Sequence, residues 1–306
     1  MIDKTRIKPK KWAYLAGLID GDGSISIRDG GKKGYQLTTS VWSTCRPLMK
    51  WLVRSFGGQF RKLPTKGNRK QKYCWYTYCK NVVEQVTPYL ILKADQGRLA
   101  QRYYIIGSER NPELRNELMT DLQNANRFFV PVVNTPIPES LCIPTKADFA
   151  YLAGLFDAEG SFSIHKRNLS GNGQYTSLAR ISNTDQRIFD WLRSRFGGGF
   201  SITPRKTRDE GCWCLTGKKD REKMMLATLP YLVVKKERAS ILLEWMRSNH
   251  TFSSDKKEEF FQQMAILNHR GLTPEANTSR LPNREGKIES DLHGDVQRKQ
   301  PVMVCF

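Results

Sequence analysis

Asp22 and Glu159 are the residues of this chain best placed by type and spacing to do chemistry. Each closes an apolar stretch that ends acid, small residue, acid, glycine: YLAGLIDGDG from Tyr14 and YLAGLFDAEG from Tyr151. The stretches read as helices, Lys11 to Ile19 and Asp148 to Phe156, ending at the acid–glycine turn. The C-terminal end of a helix is already negative, so an acid there is a poor cap and calls for another use. Ala16 and Gly17 in one stretch, and Ala153 and Gly154 in the other, leave the helix surface nearly bare. Bare surfaces allow close approach, so these four residues are expected to form an interface between the two helices. Packing about a pseudo-twofold axis then brings Asp22 and Glu159 together. Two carboxylates at one point repel each other and raise a pKa unless a cation intervenes. Hard oxygen ligands suit Mg²⁺, and such an ion can activate water and stabilise the leaving oxygen of a phosphodiester.

The charge balance points to the partner. Lys and Arg number 50 against 30 acids, a net charge of +20 over 306 residues. A surplus of this size suggests a polyanion, with nucleic acid the usual one. After each acid–glycine turn the chain alternates strictly, as SISIR in one copy and SFSIHKR in the other. Ile25, Ile27, Phe162 and Ile164 are expected to face a core, which sends Ser26, Arg28, Ser163, His165 and Arg167 outward. On the next strands Gln36, Thr38 and Ser40 share one face, and Thr176 and Arg180 share the matching one. Arg61 and Arg205 are expected to join them from the third strands. A face of Ser, Thr, Gln, His and Arg with almost no acid suits base edges in a DNA groove. The basic loops around Lys32–Lys33 and Arg69–Lys70 are expected to contact phosphates.

These segments belong to a repeat. WLVRSFGG from Trp51 returns as WLRSRFGG from Trp191, and PYLILK from Pro88 returns as PYLVVK from Pro230. The chain is a duplicated unit of roughly 120 residues. Each unit reads α-β-β-α-β-β-α, with third strands at Gln59–Leu63 and Phe200–Arg205 and fourth strands at Tyr73–Tyr78 and Cys212–Thr216. Prolines in FVPVVNTPIPESLCIPTK forbid regular structure between the copies. The expected organisation is α+β: an N-terminal domain over 1–128, a linker over 129–146, a C-terminal domain over 147–271 and a polar tail over 272–306. The seven cysteines lack the spacing of paired metal ligands and are expected to be reduced thiols. No apolar run reaches membrane length, and the basic start MIDKTRIKPKK has no signal-like apolar stretch. The protein is expected to work where it is made, in an organelle (mitochondrion or chloroplast) or a bacterial cytoplasm.

LAGLIDGDG (Leu15 to Gly23) and LAGLFDAEG (Leu152 to Gly160) resemble the two signature motifs of the LAGLIDADG homing endonucleases. The resemblance covers the stretch from Lys10 to Gly271. It implies a monomer of two αββαββα domains whose antiparallel sheets form a saddle over double-stranded DNA. It implies that Asp22 and Glu159 bind the catalytic metal, helped by the backbone carbonyls of Gly21 and Ala158, and that Asp20 and Asp157 are structural. Lys93 and Lys235 match lysines held near the attacking water and the scissile phosphate. Ser43 and Asn183 match a polar position that orients solvent. The implied activity is an intron-encoded, Mg²⁺-dependent endonuclease, with two or three divalent ions per pair of sites. It would cut both strands of a long, imperfectly symmetric target and leave 3′ overhangs. The alternative is a maturase that helps its host group I intron RNA to splice, with or without cleavage; intact acids at Asp22 and Glu159 favour the nuclease.

Overall fold

A computed structural model describes residues 7–29, 35–64, 70–106, 112–136, 141–169 and 172–268. The first repeat runs α1 (Pro9–Asp22), β1 (Gly23–Asp29), β2 (Tyr35–Ser43), α2 (Arg46–Phe56), β3 (Gln59–Lys62), β4 (Tyr73–Thr77), α3 (Lys80–Val86), α4 (Ala94–Ile106) and α5 (Pro112–Arg127). The second keeps that order: α6 (Lys146–Glu159), β5 (Gly160–Leu169), β6 (Asn172–Asn183), α7 (Gln186–Phe196), β7 (Gly199–Thr203), β8 (Glu210–Cys214), α8 (Lys218–Thr228), α9 (Lys236–Ser248) and α10 (Ser254–Asn268). Each repeat holds one four-stranded antiparallel sheet, in the order β1-β2-β4-β3 or β5-β6-β8-β7. The fold is α+β, as expected.

α1 and α6 are buried nearly all round, from Trp12 to Asp20 and from Ala150 to Asp157. A helix apolar on every side belongs inside, and these two pack on each other at backbone distance. A Cβ on Gly17 would lie 2.1 Å from the Tyr151 carbonyl oxygen, and one on Gly154 would lie 2.1 Å from that of Tyr14. That reciprocity is the signature of a pseudo-twofold axis. Ala16 and Ala153 are fully buried as well, so all four expected interface residues lie in the core.

The inner faces of the sheets carry Ile25, Ile27, Val41 and Trp75 in one repeat and Phe162, Ile164, Ile181 and Trp213 in the other, all buried. Each tryptophan donates its indole N–H to a glycine carbonyl, Trp75 to Gly57 at 2.9 Å and Trp213 to Gly197 at 2.7 Å. The Gly-Gly pairs after α2 and α7 all take positive φ, from 66° to 96°, which turns the chain sharply from helix into strand.

Several expectations need correction. α1 and α6 do not stop at Ile19 and Phe156 but run on through Asp22 and Glu159, and Gly23 and Gly160 end them. β7 ends at Thr203, so Arg205 lies beyond the strand. The register pairs Arg61 with Cys74 and Ser201 with Cys212, which makes Ser201, not Arg205, the counterpart of Arg61. Each unit also closes on three helices rather than one. Asn126 on α5 and Asn268 on α10 donate side-chain N–H bonds to the carbonyls of Ile25 (3.0 Å) and Phe162 (2.8 Å), fastening these extra helices to the first strands. Residues 272–306, read as a polar tail, lie outside the described residues, as do Lys32, Lys33 and Arg69. Among the described residues no helix is long and apolar enough to cross a membrane.

Candidate metal centre and nucleic-acid interface

Asp22 and Glu159 are the last residues of α1 and α6, and both are exposed. The helix ends touch: a Cβ on Gly21 would sit 2.4 Å from the Ala158 Cβ and 3.1 Å from the Glu159 Cγ. Partial burial in this crevice pushes both carboxyls above their ordinary pKa, and the Asp22 charge pushes Glu159 further. The ammonium groups of Lys235 and Lys93 pull both back.

Asp20 and Asp157 point the other way, into the core. Asp20 accepts backbone N–H bonds from Ile91 (2.7 Å), Leu92 (3.1 Å) and Lys93 (2.9 Å), and the hydroxyl of Tyr151 (2.7 Å). Asp157 repeats the pattern with Val233 (2.8 Å), Val234 (3.1 Å), Lys235 (2.7 Å) and the hydroxyl of Tyr14 (2.7 Å). The amides belong to the segments that lead into α4 and α9, so each aspartate pins the entry to a helix from across the fold. Each tyrosine comes from the opposite repeat. Burial raises the Asp20 carboxyl, while Lys93 and its hydrogen-bond donors lower it.

This anchoring places the lysines. Held through its own amide, Lys93 turns its ammonium back onto the end of α1 and donates to the carbonyls of Ile19 (2.6 Å) and Asp20 (2.7 Å). Lys235 donates to Phe156 (2.7 Å), Ala158 (3.2 Å) and Gly160 (2.8 Å) at the end of α6. A cation on the last-turn carbonyls offsets the negative helix end, which is why these helices tolerate a terminal acid. Burial lowers Lys93 and brings Lys235 down to about 8. The Ala158 carbonyl, expected as a metal ligand, is engaged by Lys235 here.

No group of three or more His, Cys, Asp or Glu side chains that could hold a metal occurs among the described residues. A cation at the crevice would therefore have two carboxylates, nearby backbone carbonyls, water and a phosphate as ligands. That all-oxygen donor set, without thiolate or imidazole, fits a hard divalent ion. No disulfide joins the described cysteines.

Ser43 and Asn183 end β2 and β6, and their side chains serve the following turn. The Ser43 hydroxyl accepts from the Cys45 amide at 3.2 Å, and Asn183 Oδ1 accepts from Thr184 (2.7 Å) and Asp185 (3.0 Å). Asn183 still lines the cleft that holds Glu159 and Lys235.

The outward sheet faces are polar, as the alternation requires. Gln36, Thr38, Ser40 and Arg61 line one cleft with Cys74, Tyr76 and Tyr78. Thr38 and Ser40 are only 6% and 1% exposed, so they form its floor rather than project from it. Their short side chains are overtopped by longer neighbours, which alternation alone cannot reveal. Ser26 sits opposite Thr38, and its hydroxyl is buried with no hydrogen-bond partner among the described residues. Arg61 lies over the Tyr76 ring. On the second sheet Ser163 and His165 share a 2.9 Å hydrogen bond, and Arg180 donates to Ser161 at 3.1 Å. Thr176 is exposed beside His165 in the register. Arg205 pairs instead with Glu210, which its two nitrogens reach at 2.9 and 2.6 Å. The side chains of Arg28 and Arg167 lie outside the described residues. Tyr76, Tyr78, Lys72 and Glu210 were not expected at these surfaces. Their signal was the register of the fourth strand, which short β3 and β7 left open.

No known family profile matches the chain, and no curated protein matches its sequence. Solved structures do match. I-AabMI, a LAGLIDADG meganuclease bound to uncleaved DNA, is 15% identical over 86% of this chain and 100% of its own, with a TM-score of 0.59. I-SmaMI, a meganuclease bound to uncleaveable DNA, is 18% identical over 86% of this chain and 99% of its own, with a TM-score of 0.60. I-GzeII, a LAGLIDADG homing endonuclease in complex with its DNA target, is 15% identical over 86% and 98%, with a TM-score of 0.58. I-SmaMI also matches in a form bound to uncleaved target in the presence of calcium ions. The chain has the fold of the two-motif LAGLIDADG meganucleases.

Proposed function

We propose that this protein is a site-specific double-strand DNA endonuclease that hydrolyses phosphodiesters with divalent ions, Mg²⁺ foremost. The observation that carries the reading is the pair Asp22 and Glu159, delivered side by side by two helices in contact. The polar, basic outward faces of the two sheets support it, as do the DNA-bound structures that share the fold. The I-SmaMI complex formed in the presence of calcium ions supports the use of a divalent ion.

Asp22 and Glu159 would hold the ion, with Gly21 supplying a backbone carbonyl and Ala158 a second once Lys235 moves off it. A divalent ion at such a site activates water and stabilises the leaving oxygen. The chain's own residues do the rest. Lys93 and Lys235 offset the negative charge gathered at the helix ends and lie close to any phosphate entering the crevice. The outward residues, from Gln36 and Arg61 on one sheet to His165, Thr176 and Arg180 on the other, would read base edges. Lys70 would contact the backbone. Cuts on the two strands would leave 3′ overhangs.

Incubation with Mg²⁺ and a randomised duplex library, followed by sequencing of cut ends, is expected to recover one long target. Asp22→Asn is expected to abolish double-strand cleavage while leaving duplex binding in EDTA within about threefold. Absence of cutting with any divalent ion, together with tight binding to a structured intron RNA, would replace this reading with the maturase.

A further inference from the structure

The two repeats carry opposite charges at one equivalent position. Ser43 pairs with Tyr73 and Asn183 with Gly211 across matching strands. The residues immediately before Tyr73 and Gly211 are Lys72 and Glu210, so these are counterparts. Both line the cleft that contains Glu159 and Lys235. Along the described outward strand faces, Glu210 is the one carboxylate in a chain of net charge +20. It is held by Arg205, whose guanidinium is the more exposed partner at 57% against 33%. Lys72 belongs to the repeat of Asp22 and Glu210 to that of Glu159. The two repeats thus present unlike charges at one position of the cleft, although their acids are related by the pseudo-twofold axis.

Resting on the nuclease reading, we propose that Lys72 and Glu210 fix the order of strand cutting, with the strand whose scissile phosphate lies on the Lys72 side cut first. A scissile phosphate is anionic and gains negative charge on its oxygens as water attacks. A fixed cation beside it favours both its approach and that developing charge, while a fixed carboxylate opposes both. Lys72 and Glu210 touch neither acid in the way Lys93 and Lys235 touch the helix ends, so they set the local field rather than hold the site together. The sequence shows no reason for a carboxylate on a DNA-facing surface; a slower second site supplies one.

The experiment follows both strands of an end-labelled target duplex with Mg²⁺. Wild type is expected to pass through a duplex nicked on the Lys72-side strand before the second cut. Lys72→Met is expected to slow the first cut about tenfold and the second far less. The double exchange Lys72→Glu with Glu210→Lys is expected to reverse which strand is nicked first, which a merely structural role would not do. A binding measurement in EDTA adds a readout apart from catalysis: Lys72→Met is expected to lower the salt slope by about 1, and Glu210→Gln to leave it or raise it. Equal rates on the two strands in wild type, an unchanged order in the double exchange, or an unchanged slope for Lys72→Met would overturn the proposal while leaving the nuclease standing. Failure to cut either strand with any divalent ion would instead overturn the nuclease, and this inference with it.

Discussion

Asp20 and Asp22 stand two positions apart on α1, yet one is 3% exposed and surrounded by donors while the other is exposed at the helix end. The same division separates Asp157 from Glu159. Carboxylate chemistry alone does not distinguish the members of each pair. The motif showed that the acids matter, but it could not show that Asp20 and Asp157 pin the segments leading into α4 and α9, because their partners lie some seventy residues downstream. Tyr14 and Tyr151 were legible only as apolar bulk, although each reaches the aspartate of the other repeat. That contact gives a direct test. Tyr14→Phe removes one donor from a buried carboxylate that keeps its three backbone donors, and such losses cost about 1–3 kcal/mol. Urea denaturation is expected to show a lowered midpoint for Tyr14→Phe and a similar loss for Tyr151→Phe, since the two contacts match at 2.7 Å. No change in either midpoint would mean that the cross-repeat bonds contribute nothing to stability.

Among the elements, α1 and α6 were the easiest to read and carry the most. Small residues at Ala16, Gly17, Ala153 and Gly154 announced a close approach, and the chains do meet at backbone distance. The sequence predicts helix ends at Ile19 and Phe156 because glycine and acid normally signal a stop; Lys93 and Lys235, distant in sequence, supply the countercharge that lets the last turn form. The short third strands depart from expectation for a different reason. Four or five residues carry too little alternation to fix a register, so the pattern extends to Arg205 a strand that ends at Thr203. α5 and α10 lie outside the α-β-β-α-β-β-α pattern although Leu118, Leu122, Phe260 and Met264 mark their buried sides. The packing of α1 on α6 makes a sharper prediction than any of these. A methyl group on Gly17 would meet backbone atoms of Tyr151 and Leu155, at 2.1 and 2.8 Å, and neither can swing aside. Gly17→Ala is expected to cost about 3 kcal/mol or more, at the upper end of overpacking losses. It should also separate Asp22 from Glu159, so cleavage is expected to fall further than the folded fraction does. Circular dichroism melting beside cleavage rates checks both. A variant as stable and active as wild type would show that the helices do not meet so closely.

At the scale of the molecule, the surplus of 20 positive charges and the division of each sheet into an apolar and a polar face are two views of one design. Helices cover the inner faces and supply the core, which leaves the outer faces as the surfaces where Arg61, His165 and Arg180 can meet a polyanion. Duplication puts two such faces and both acids in one chain, so on the endonuclease reading proposed above a single copy suffices for both halves of a target. These premises set how binding must respond to salt. If the basic surface neutralises about ten phosphates, the logarithm of affinity should fall with the logarithm of salt at a slope near −9, weakening binding about 10⁵-fold between ~50 and ~200 mM. Sedimentation of the complex is expected to show one protein chain per target duplex. Fluorescence anisotropy in EDTA, titrated with salt on the target and on a scrambled duplex, should give similar slopes with an affinity gap that persists. Phosphate contacts account for the slope and base contacts for the gap. A slope of about −2 would place the positive charges on a solvated surface away from DNA, and equal affinity for the two duplexes would remove the base-reading role of the outer sheet faces.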